Sequence, residues 1–178
     1  MIQKNIVIII FILNCLFGLQ KILIPMDEIQ TNHLKAYGIA FSSLENNNKV
    51  DWLLNYRGGS FVFDFSNEIK KQCLLKNVNY QLLSIEEVSM IYAMIEQENM
   101  ELVILEKSPK IAVYSPPNQQ PWDDAVTLAL TYAEIKYDVI FDDEVMKGEL
   151  YKYDWLHLHH EDFTGQYGKF YRYRNQNW

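Results

Sequence analysis

Apolar positions along this chain alternate between short continuous runs and stripes of helical period, and the alternation itself predicts an order of elements. Lys21-Ile-Leu-Ile-Pro25 is an apolar run closed by proline, which predicts a buried strand over 21–25. Asp27 stands three residues before Gln30 as a capping pair, and Ile29, Leu34, Tyr37, Phe41 and Leu44 follow at spacings of three to five. That pattern predicts a helix, ended by Asn46-Asn47-Asn48. Strands over 50–56 and 60–65 flank Arg57-Gly58-Gly59, and a short helix over 68–76 precedes a strand over 80–83. Ser84 with Glu87 forms a capping box for a helix whose Val88, Ile91, Tyr92 and Ile95 make an apolar stripe. A strand over 102–105 then runs into Glu106-Lys107-Ser108-Pro109, the best candidate for an internal boundary.

Beyond it the pattern restarts. A strand over 110–115, a loop over 116–121 and a helix capped by Asp123 come first; the helix carries Val126, Ala129, Leu130 and Ala133 on one side. Strands over 137–141 and 153–159 follow, with a short helix or turn over 142–148 between them. Strands that alternate with helices and are apolar on both faces predict an α/β fold, mainly a parallel sheet with helices on both faces. Lys21-Ile-Leu-Ile-Pro25 and Lys110-Ile-Ala-Val-Tyr114 open the two halves alike, a likeness that any two units of an open α/β sheet share. The tail over 163–178 is rich in Tyr, Phe and Arg without a clear period, and with no closing helix or strand the chain reads as the front part of a longer protein.

The N-terminus changes the address. Lys4, an apolar run over 6–13 and the small residue Gly18 have the layout of a signal peptide, shorter than the roughly 20 residues that span a bilayer. Export to the periplasm or cell envelope is therefore expected, with an uncleaved anchor as the rival reading. Cys15 follows Asn14 rather than a small residue, which argues against lipidation. The expected organisation is a leader over 1–19, an N-terminal α/β region over 20–107 and a second α/β region over 108–178. With 49% hydrophobic and 14% aromatic residues the chain is too apolar for disorder, and a net charge of −7 gives it no reason to bind nucleic acid. Without the leader a single cysteine, Cys73, remains, so no intramolecular disulfide is available.

Chemistry concentrates in Trp155-Leu-His157-Leu-His159-His160-Glu161-Asp162, which holds three of the four histidines where a strand is expected to end. Strand alternation puts His157 and His159 on one face about 7 Å apart, within reach of one transition metal, with Glu161 or Asp162 as a third ligand. Lining a small-molecule pocket without metal, or a purely structural role, are the alternatives. Arg57-Gly58-Gly59-Ser60 offers backbone amides to an anion or simply turns the chain between paired strands. Cys73 lies one helical turn after Ile69 and reads as a buried thiol, and His33 as a packed or surface histidine. Asp123-Asp124 and Asp142-Asp143-Glu144 fall at helix starts, where they suit the dipole.

Long stretches carry a family resemblance. They include Asp51-Trp-Leu-Leu-Asn-Tyr-Arg-Gly-Gly-Ser60, Pro109-Lys-Ile-Ala-Val-Tyr-Ser-Pro116, Gln120-Pro-Trp-Asp-Asp-Ala-Val126 and Tyr153-Asp-Trp-Leu-His-Leu-His-His-Glu-Asp162. Together they resemble an exported bacterial family commonly labelled asparagine synthetase B. A glutamine-using asparagine synthetase is expected to carry a cysteine at position 2 and a Ser-Gly-Gly-x-Asp-Ser loop for pyrophosphate; here Ile2 stands in the leader and no such loop exists. The second half is similar to the class I glutamine amidotransferases, which implies a flavodoxin-like three-layer fold with a nucleophilic cysteine on a strand-to-helix turn. Nothing in this sequence matches that nucleophile. The resemblance thus implies an exported amidotransferase-like protein that is catalytically incomplete, with no established cofactor. The alternatives are an envelope module that binds a ligand or partner, and asparagine synthesis as the family label says. Membrane association is expected only through the leader, if it is uncleaved.

Overall fold

The computed structural model describes residues 20–115 and 125–158, which fall into two units. The first contains 20–108 together with Tyr132–Ile135, and the second contains 109–115, 125–131 and 136–158.

In the first unit, β1 (Gln20–Ile24), α1 (His33–Glu45), β2 (Val50–Leu54), β3 (Ser60–Asp64), α2 (Asn67–Leu75), β4 (Gln81–Ser84), α3 (Ile85–Gln97) and β5 (Glu101–Leu105) follow in order. The five strands form one sheet in the order β4-β1-β3-β2-β5, and every neighbouring pair is antiparallel. This corrects the expected mainly parallel sheet, and with it the flavodoxin-like three-layer fold that the resemblance implies. β1 and β2 run the same way but β3 lies between them, and β3 and β4 likewise enclose β1. The first six elements therefore have the split βαβ, ferredoxin-like connectivity, a topology that hosts many unrelated activities.

Burial on both faces misled the prediction of strand direction. Ile22, Ile24, Phe61 and Phe63 pack under α1 and α2 through Ile39, Leu44, Ile69 and Cys73. On the opposite face Leu23, Leu53 and Val62 pack under α3 through Val88, Ile91 and Ile95. A strand buried on both faces reads as an unbroken apolar run whichever way its neighbours point. Since β4 and β5 occupy opposite edges, their link crosses three strands, about 19 Å at the usual spacing, and 13-residue α3 is about 20 Å long.

Local chemistry sets the helix ends. Ser84 and Glu87 form the expected capping box. Asp27 and Gln30 do not cap α1: Asn32 does, accepting from the Lys35 N–H, while Asp27 takes the Ile29 N–H in a turn. Asn47, Asn77 and Asn99 follow α1, α2 and α3 with φ of 60°, 54° and 54°, the left-handed conformation that asparagine tolerates best after glycine.

The second unit contains β6 (Ile111–Tyr114), most of α4 (Ala125–Ala133), β7 (Asp138–Ile140), α5 (Asp142–Met146), a 3₁₀ turn (Glu149–Lys152) and β8 (Trp155–Leu158). Its sheet is parallel, in the order β7-β6-β8. Among the described residues, parallel pairing is thus confined to these three strands. Among them too, no helix is long and apolar enough to cross a membrane.

Candidate functional site at the ends of the parallel strands

The strand order of the second unit indicates where a ligand site is expected. From central β6 the chain crosses to β7 on one side, then passes back to β8 on the other, so the connections diverge at β6. In open parallel sheets, ligands bind beyond the carboxyl ends of the strands where connections diverge in this way. The opposite ends are tied together. Lys110 N–H donates to the Asp154 carboxylate at 2.8 Å, and the Asp154 and Trp155 N–H groups donate to Lys110 O at 2.9 and 3.2 Å.

At the carboxyl ends, the Ser115 N–H donates to Ile140 O at 3.0 Å and extends the β6–β7 ladder. The Tyr114 hydroxyl donates to Asp142, and its ring packs on Phe141 with centroids 5.2 Å apart. The Glu144 carboxylate accepts the Phe141 N–H at 2.9 Å, and that bond holds its carboxyl below the usual range. The capping role expected for Asp142-Asp143-Glu144 therefore falls on Glu144, while Asp142 engages Tyr114. Sequence reasoning missed Tyr114 and Phe141 as members of this site. An aromatic closing a β-run and another opening a short helix were the available signals.

His157 lies on β8 opposite Val113 and is half-buried. It shares a sheet face with Ile111, Val113, Val139 and Trp155, by register and strand alternation. His159, His160, Glu161 and Asp162 lie outside the described residues, as do Asp123 and Asp124. Among the described residues no group of three metal-ligating side chains comes together.

Arg57-Gly58-Gly59-Ser60 lies in the first unit and turns the chain between β2 and β3. Arg57 Nε donates to Asp27 at 2.6 Å and an Arg57 Nη donates to Gln81 at 3.2 Å. The guanidinium keeps the Asp27 carboxyl below its ordinary value. Gly59 and Ser60 N–H groups both donate to Tyr56 O at 3.1 Å, so these two amides serve the turn. Gly58 has φ 79°, and a Cβ there would stand 2.3 Å from Met26 O. His33 Nε2 lies 3.1 Å from Met26 O, within the same unit.

Cys73 is fully buried in the core beneath α1 and α2, and burial pushes its thiol up to about 11. A thiol so placed is neutral at physiological pH and out of reach of a substrate. No protein-family model matches the chain, and no curated protein or solved structure matches it.

Proposed function

We propose that this chain is an exported α/β protein that binds a small molecule beyond the carboxyl ends of β6 and β8. It serves as an envelope ligand-binding module, and these 178 residues carry no cysteine-based hydrolysis. The observation that carries the reading is the parallel order β7-β6-β8, with β6 as the strand from which the connections diverge. Two further features agree with it. Cys73 is the one cysteine beyond the leader, and it is buried. The net charge of −7 favours a neutral or zwitterionic ligand over a polyanion.

The resemblance makes glutamine, asparagine and aspartate the first compounds to test. Calorimetric titration of the purified protein with each, alongside an ammonia-release assay on glutamine, checks the reading. Binding without ammonia release is expected, weakened by Tyr114→Phe and His157→Ala. Ammonia release abolished by Cys73→Ser overturns the non-hydrolytic reading. Absence of heat with all three compounds overturns the choice of ligand class.

A further inference from the structure

A separate cavity of about 350 Å³ opens within the first unit, near the lower end of the range for small-molecule sites. It lies where α1 ends and α2 begins. Ser43, Asn47, Asn48 and Ser66 supply its polar lining, and Phe65 and Ile69 part of its apolar lining. Ser43 is 5% exposed, and its hydroxyl is buried without a hydrogen-bond partner. Buried hydroxyls are nearly always satisfied, so an orphan beside a cavity marks a place for a bonding group from outside the chain.

Charge narrows the class of ligand. Lys49 and Asp64 also border the cavity, but Lys49 is paired with Glu106 and Asp64 with Lys21 at 2.8 Å. Strand alternation turns Asp64 to the α3 face with Val62, away from Phe63. Glu68 already places a negative charge in the first turn of α2, and Ser66 takes the Glu68 N–H at 3.2 Å. What remains is a set of neutral hydroxyl and amide groups beside an aromatic ring.

We infer that this cavity binds a neutral polyhydroxylated molecule of monosaccharide size. Asn47, Asn48, Ser43 and Ser66 bond its hydroxyls, and Phe65 packs against its C–H face. The site is independent of the one proposed in the second unit.

The test is a titration of the isotope-labelled protein with glucose, galactose, mannose and N-acetylglucosamine at millimolar concentration, followed by amide NMR, with acetate and glycine as controls. Shifts clustered at 43–49 and 64–69 with at least one sugar are expected. Asn47→Gly suits the left-handed φ of 60° and removes the amide, so it preserves the fold and weakens binding about tenfold. Ser43→Ala removes the orphan hydroxyl, leaving the unliganded protein at least as stable and weakening binding similarly. No clustered shift with any sugar, equal affinity in both variants and the parent protein, or stronger shifts with acetate or glycine overturns the inference.

Discussion

The two units bury their strands differently. In the first, β1 and β3 are enclosed between α1 with α2 on one face and α3 on the other, and Phe63 is 1% exposed. In the second, among the described residues, β6 is buried along Ile111–Val113, whereas β7 is buried at Ile140 but 54% exposed at Val139, and Trp155 on β8 is 45% exposed. One antiparallel sheet thus carries two cores, while among the described residues of the parallel sheet burial is greatest on β6. Burial, rather than strand count, sets how much each unit loses when a side chain is cut back.

The largest expected effect is that of Phe63→Ala, about 4 kcal/mol by urea denaturation, because it opens a cavity in the larger core. Hydrogen exchange should show the loss throughout the first unit, and a loss confined to β3 would break the picture of a shared core. Gly58→Ala follows at about 3 kcal/mol, since it combines a left-handed φ with a Cβ pressed on Met26 O. An unchanged denaturation midpoint would show that the turn relaxes freely.

Val113→Ala is expected to cost about 2 kcal/mol, with hydrogen exchange rising first in β6 and its neighbours. Equal deprotection of both units would erase the contrast between them.

The smallest effect concerns Glu134, whose carboxyl is held at about 2 by hydrogen bonds from Lys35 and Lys76. A folded value below the unfolded one means that this stabilisation is present above the unfolded value, near 4.5. It is lost as pH falls from there toward 2. The carboxylate is 54% exposed, so Glu134→Gln should cost under about 1 kcal/mol at neutral pH and flatten the acid limb of stability. An identical acid limb in the variant would remove Glu134 from the account.

Much of the element order was legible in the sequence because its signals are local. Ser84 and Glu87 announce α3, and Asn46-Asn47-Asn48 announces the stop of α1. Asp27 and Gln30 carry the same spacing as a capping pair, yet Asp27 is engaged by Arg57, thirty residues away, and the helix begins at His33. At the candidate site, His157 was legible as an unusual residue, but its partners across the sheet depend on register.

The sequence alone determined the order of helices and strands, since caps, turns and apolar periods act over a few residues. Only the tertiary structure decided strand direction and order. Ile22-Leu-Ile24 and Ile111-Ala-Val113 are both short apolar runs buried on both faces, yet one pairs antiparallel and the other parallel. The apolar pattern records that a strand is enclosed and carries no sign of its neighbour's direction, which the connections and the packing of helices across each face select.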